Sequence, residues 1–236
     1  MGRLGTRAAQ TGFASRFRSA GSVLAAVLAE SDTSLEEMSV GKLDPRKTGL
    51  FVCDVQEVFR EKSLIQGYDA VIDCARRLVR GAAAFEIPVF VTEQYPARLG
   101  STVQEIRDVL PKSCVPVPKT DFTMYVPEIQ EQLRQYPEIQ SIVLCGIEGH
   151  VCVLQTALDL LERKFDVHIV TDGVSSSKWH DRTVGIQRIA QCGGFLATAE
   201  MILFQLSCSS KHPAFKQVSA LVKESRPDPL PIVSML

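Results

Sequence analysis

The stretch that decides the fold runs from residue 139 to residue 163, IQSIVLCGIEGHVCVLQTALDLLER. Its first eight residues are an almost unbroken apolar run with β-branched members, the pattern of a strand buried on both faces. From residue 151 onward, Val151, Val153, Leu154, Ala157, Leu158, Leu160 and Leu161 recur at helical spacing, which predicts a helix. Between the two lies a short turn, Gly146-Ile147-Glu148-Gly149-His150. Strand, tight turn and helix in this order are one unit of a parallel sheet with right-handed crossovers.

The same cadence extends in both directions. Apolar runs at 49–55, 87–93 and 166–172 read as further strands, with a short one at 194–200. The Pro-rich piece SCVPVPK at 113–119 reads as extended chain near a sheet edge, where a missing N–H does no harm. Helical spacing predicts helices over 68–85, 103–110, 126–135, 180–192, 200–206 and 214–224. The expected fold class is therefore α/β: a three-layer α/β/α sandwich around a mainly parallel sheet. The expected organisation is a flexible N-terminal segment (1–44), one domain (45–225) and a Pro-rich C-terminal tail (226–236).

Composition narrows the function classes. Of 236 residues, 45% are hydrophobic and 22% charged, which excludes general disorder, collagen and coiled coil. A net charge of -1 makes no electrostatic case for nucleic acid or a polybasic membrane contact. That balance conceals an asymmetry: residues 1–29 carry Arg3, Arg7, Arg16 and Arg18 and no acid. An Arg-rich, acid-poor N-terminus fits a mitochondrial transit peptide, the competing readings being a disordered tail or an alternative start. Otherwise a cytoplasmic location is expected. The C-terminal Ser234-Met235-Leu236 departs from the peroxisomal Ser-Lys-Leu at its basic position. No apolar stretch approaches the roughly 20 residues of a membrane span.

Seven cysteines without a C-x-x-C pair indicate a reducing compartment rather than a disulfide framework. In LFVCDV and SIVLCGI the thiol reads as a small hydrophobe. The four histidines are scattered, without metal-binding spacing. No G-x-G-x-x-G or P-loop follows a strand, so nucleotide binding is not expected.

In parallel sheets the ligand site lies outside the carboxyl ends of the strands. The residues to weigh are those where apolar runs stop: Asp54 to Gln56, Thr92 to Tyr95, Lys119, Gly146 to Cys152, and Thr171-Asp172. Cys152 falls on the first turn of a long helix, where unpaired N–H groups and the helix dipole favour a thiolate. Asp54 ends a strand otherwise apolar, a costly place for a carboxylate that is neither paired nor solvated. Lys119 ends the third extended piece. Singly, a structural thiol, a turn aspartate and a surface lysine are adequate readings; together at one sheet edge they form a nucleophile, a base and an electrostatic activator.

These residues bring out a resemblance. DVQEVF (54–59) matches a D-x-Q-x-x-F motif, Lys119 a lysine, and GIEGHVCVLQTALDLL (146–161) the turn, cysteine and helix of the isochorismatase-like cysteine hydrolase superfamily. With VTEQYPARLGSTVQEI and VTDGVSSS, the chain is most similar to eukaryotic isochorismatase domain-containing proteins and protozoan relatives over about 47–224. The resemblance implies a triad of Asp54, Lys119 and Cys152, and a cis peptide at Ile147–Glu148 that aims the Glu148 and Cys152 amides at an oxyanion. Gln56, Phe59, Tyr95 and Phe122 become candidate substrate contacts, with core packing the competing reading for each aromatic. It also implies a small-molecule substrate and a homo-oligomer.

Two departures sharpen the expectation. Metal-dependent nicotinamidases of the superfamily carry Asp-x-His after the second strand, where this chain has Thr92-Glu93-Gln94-Tyr95-Pro96; no metal and no cofactor are expected. Isochorismate hydrolases lack the nucleophilic cysteine, which this chain keeps. The expected activity is metal-independent hydrolysis of a small C–N-bonded substrate through a cysteine-linked acyl intermediate. The alternative is a binding or scaffold protein that retains the fold. His150 is read as a turn or subunit-contact residue, and Glu93 as facing the pocket or pairing with a neighbouring residue.

Overall fold

Strand β1 (Thr48–Cys53) has all six residues buried, as an apolar run flanked by two other strands requires. The chain, in a computed structural model that describes residues 39–231, continues through α1 (Glu57–Glu61) and α2 (Tyr68–Ala84) into β2 (Val89–Gln94). Short helices α3 (Pro96–Leu99) and α4 (Gln104–Arg107) lead to β3 (Val117–Lys119). Then follow α5 (Pro127–Leu133), β4 (Ser141–Ile147), α6 (Cys152–Glu162), β5 (Asp166–Ser175), α7 (Trp179–Gln191), β6 (Phe195–Ala197), α8 (Ala199–Ser207) and α9 (Phe215–Lys223).

The six strands pair in the order β3-β2-β1-β4-β5-β6, every neighbour parallel. The expected three-layer α/β/α sandwich is thus observed, its described sheet parallel throughout. Pro118 sits in edge strand β3, where it removes no inner ladder bond.

Alternation along β1 sorts the core into two faces. Leu50 and Val52 pack with α2, α8 and α9 residues such as Val71, Leu78, Leu203 and Val218. Phe51 and Cys53 pack on the opposite face with α5, α6 and α7 residues such as Ile129, Leu160 and Ile189. Each enclosed aliphatic side chain contributes about 2 kcal/mol, offset by the entropy of ordering the chain.

The strands run outward from β1 on one side and from β4 on the other, so the order reverses between β1 and β4. A crevice opens at such a switch point, outside the strands' carboxyl ends. Asp54 follows β1 there, and the turn to Cys152 follows β4.

Three boundaries differ from the pattern of the sequence. Strand β5 does not stop at Thr171-Asp172 but runs to Ser175, because the ladder with β4 resumes at Gly146–Val174 after a register shift. Asp172 instead accepts a hydrogen bond from the Ala199 N–H at 2.8 Å. The helix expected over 103–110 is regular only over Gln104–Arg107. Finally, packing reaches beyond 45–225: Leu43 is buried, its N–H 2.8 Å from Gln205 Oε1, and Leu230 is buried in the α2 face. The Arg-rich N-terminal residues and the C-terminal Ser-Met-Leu lie outside the described residues.

Candidate active site

Asp54 leaves β1 in the left-handed region, φ 52°, a conformation that aspartate tolerates better than most residues. This turns its carboxylate into the crevice, where it is 1% exposed. Oδ1 accepts from Thr92 Oγ1 at 2.7 Å and Oδ2 from Lys119 Nζ at 2.7 Å. The Lys119 ammonium also donates to Gln94 Oε1 at 2.6 Å and to the carbonyls of Asp121 and Phe122, each at 3.1 Å. Burial works against the ammonium, yet the acidic groups of Cys53, Asp54 and Cys152 around it hold Lys119 above the usual lysine value. A charge pair this enclosed persists only with good geometry and satisfied remaining donors. Both conditions are met here.

Cys152 is the first residue of α6, an eleven-residue helix, and is buried. The peptide bond Ile147–Glu148 is cis, as the resemblance implied. Val151 and Val153 donate to the Glu148 carbonyl, and Gly149 donates to Ser175 O. Among the described residues, the Glu148 and Cys152 N–H groups donate to no protein acceptor. Gly146, at φ 120°, lies so close to β1 that a Cβ there would collide with the Cys53 backbone. A side chain would therefore push the turn away from Asp54.

The other candidate contacts separate. Gln56 is fully buried and spent on backbone: Nε2 donates to Gln94 O (3.0 Å) and Gly100 O (2.7 Å), while Oε1 accepts from Gln94 N–H (2.8 Å). It is a clamp between the β1 and β2 ends. Phe59 is half-buried against the α2 face, edge-on to Tyr68. Tyr95 and Phe122 are exposed, and Phe122 meets Lys119 through its carbonyl. A cavity of about 390 Å³ at the end of β3 is lined by Tyr95, Pro118, Lys119, Asp121 and Glu128, among others, with neither Asp54 nor Cys152 in its wall.

His150 Nδ1 lies 3.1 Å from Ser176 Oγ. Glu93 holds the loop after β2, accepting from Thr102 N–H and Oγ1 at 2.6 and 2.8 Å. Sequence reasoning missed what Thr92 and Gln94 hold, and it gave Ser175 to Ser177 no part beyond the VTDGVSSS resemblance. There the Ser177 N–H donates to Glu148 Oε2 at 2.7 Å and fixes the turn. Among the described residues, no three His, Cys, Asp or Glu side chains converge as a metal site.

Comparison with known proteins places the fold in a family. A family model described as the isochorismatase domain matches residues 48–201. Isochorismatase domain-containing protein 2 of Xenopus laevis is 44% identical over 190 residues, covering 80% of this chain and 90% of that protein. The secreted isochorismatase effector Isc1 of Phytophthora sojae is 45% identical over 188 residues, covering 78% and 89%. The solved structure of MAR1 ribonuclease from Caenorhabditis elegans superposes with a TM-score of 0.76 at 40% identity, covering 82% of this chain and 99% of that one. On the strength of the matched model and of relatives alike over most of its length, this chain belongs to the isochorismatase family.

Proposed function

We propose that this protein is a metal-independent cysteine hydrolase that cleaves a small amide-type C–N bond through a thioester on Cys152. One observation carries the reading. A buried ammonium–carboxylate pair, Lys119 and Asp54, stands beside a cysteine at the start of a helix.

Each group has a part in that chemistry. Asp54 takes the Cys152 proton, and the thiolate attacks the substrate carbonyl carbon. The Glu148 and Cys152 N–H groups, which have no protein acceptor, donate to the resulting oxyanion. The Asp54 proton passes to the departing amine as the C–N bond breaks. Water, deprotonated by Asp54, then hydrolyses the thioester. Lys119 stays charged throughout and offsets the negative charge that moves between Asp54 and Cys152.

Mass spectrometry of the intact protein with a library of small amides tests the proposal. The expected result is an acyl adduct on the wild type that Cys152→Ala lacks; no adduct across the library overturns it. Against the scaffold alternative, Cys152 should alkylate faster at mildly acidic pH than exposed Cys192 and Cys208. Equal rates would favour the scaffold.

A second reading comes from the relative named a ribonuclease. Cleavage of single-stranded RNA that disappears in Cys152→Ala would support it. The enclosed carboxylate and ammonium, both at most 2% exposed in their side chains, suit a small substrate better than a polymer.

A further inference from the structure

Thr156, one turn along α6 from Cys152, is fully buried, and a hydroxyl so placed must find partners inside the protein. It has two. Its Oγ1–H donates to the Cys152 carbonyl at 2.6 Å, and the same oxygen accepts from the Met124 N–H at 2.8 Å. Met124, itself fully buried, belongs to the loop 120–126 that follows Lys119. That loop presents the Asp121 and Phe122 carbonyls to the Lys119 ammonium, which in turn pairs with Asp54. One hydroxyl therefore closes a continuous path of hydrogen bonds and short peptide from Cys152 to the charge pair.

We propose that Thr156 is a positioning residue of the reaction: its hydroxyl holds the loop after Lys119 against the first turn of the Cys152 helix, and so fixes the spacing of ammonium and thiol. The proton count settles the direction of each bond. A hydroxyl has one hydrogen, spent on the Cys152 carbonyl, which leaves its lone pairs for the Met124 N–H. Threonine in a helix commonly bonds back to the carbonyl four residues earlier, and that bond alone stays within the helix. The Met124 N–H makes this one a tie between two elements, 32 residues apart in the chain.

The loop has further braces. The Tyr125 N–H donates to Thr123 Oγ1 and Gln130 Nε2 to the Tyr125 carbonyl, each at 3.0 Å, and the Arg163 guanidinium beyond the far end of α6 lies 4.3 Å over the Tyr125 ring. With these in place, loss of the Thr156 hydroxyl should loosen the loop at Met124 rather than unfold it. The acidic groups around the ammonium are Asp54, whose Oδ2 also accepts from the Cys53 thiol at 3.5 Å, together with Cys53 and Cys152. An ammonium held in place favours the Cys152 thiolate. One that drifts with its loop favours it less.

The proposal deepens the cysteine-hydrolase reading and rests on it, but its test needs no substrate. The rate of Cys152 alkylation by iodoacetamide is followed against pH, by peptide mass spectrometry, in wild type, Thr156→Val, Thr156→Ser and Arg163→Ala. Thr156→Val keeps the shape and loses both bonds, so its midpoint should rise by about one pH unit, roughly tenfold slower alkylation below it. Thr156→Ser, which keeps the hydroxyl, should follow the wild-type profile, as should Arg163→Ala, which frees the loop at Tyr125 instead. A Thr156→Val profile superimposed on wild type, even with a lower Tm, makes Thr156 a packing residue and overturns the proposal. An equal shift in Arg163→Ala or in Thr156→Ser overturns it too. Should Thr156→Val not fold, hydrogen exchange in the wild type decides: the Met124 amide should exchange no faster than the amides of α6, and exchange as fast as at exposed Asp121 and Phe122 refutes the tie. Failure of the amide reading alone would leave these profiles unchanged and remove only the acyl adduct.

Discussion

Lys119 Nζ lies 2.7 Å from Asp54 Oδ2, and neither side chain is more than 2% exposed. Each charge depends on the other for its tolerance in the interior. Lys119→Met should therefore cost about 3–5 kcal/mol in urea unfolding, since it strands a buried carboxylate. Adding Asp54→Asn should recover a large part of that loss without restoring activity. A double variant no more stable than Lys119→Met would show that the pair is not coupled.

Thr92 Oγ1 donates to Asp54 Oδ1 and leaves the other oxygen to Lys119 and Cys53. Thr92→Val keeps the shape but removes the donor, so a freer carboxylate should lower kcat/KM about tenfold. Thr92→Ser should retain most activity. The comparison, made on any substrate that acylates Cys152, separates the hydrogen bond from packing.

Gly185 in α7 lies against the turn after β4: a Cβ there would be 2.6 Å from Gly149 O and 2.8 Å from His150 Cα. Both are backbone atoms and cannot rotate away. Gly185→Ala should displace the turn, slowing Cys152 alkylation at least about tenfold although Asp54, Lys119 and Cys152 are all unaltered. Unchanged alkylation would mean that α7 yields rather than the turn.

His168 on β5 is stacked on Phe195 with ring centroids 5.1 Å apart, and its Nε2 is buried without a hydrogen-bond partner. Burial pushes its pKa down to about 4, with Asp166 pulling the other way. The unfolded chain, titrating near 6.5, binds the proton more tightly than the folded one below that pH. Stability should accordingly be flat above about pH 6.5 and fall as the pH drops towards 4, by about 3 kcal/mol in all from this group. Unfolding of His168→Phe across that window should lack this component. An unchanged slope would assign the acid sensitivity elsewhere.

How far the sequence reveals the molecule depends on whether the cause is local. Strands β1 and β4 are legible because every residue is buried, so burial is written as an unbroken apolar run. The end of β5 is not, because Thr171, Asp172 and Gly173 interrupt the apolar signal while the ladder with β4 carries the strand onward. Asp54 and Lys119 were recognisable as charges where apolar runs end, and their pairing across 65 residues follows from the sheet order. Gln56 shows the limit. Its motif position marks it as important, but only the folded loop at 94–100 shows that it binds backbone. Cys53 is hidden for the opposite reason, since a thiol in an apolar run carries no sign of the carboxylate beside it.

The site also has a history written into the strand order. Strand β1 is made first, yet β2 with β3 on one side and β4 on the other must arrive before Asp54 meets Lys119 and the turn bearing Cys152. Such long-range parallel pairing is slow and comes late in assembly. Asp54, Lys119 and Cys152 come from separate stretches of chain. Reactivity at Cys152 should thus serve as a clock for the last stage of folding, silent through collapse and audible only when the sheet has closed.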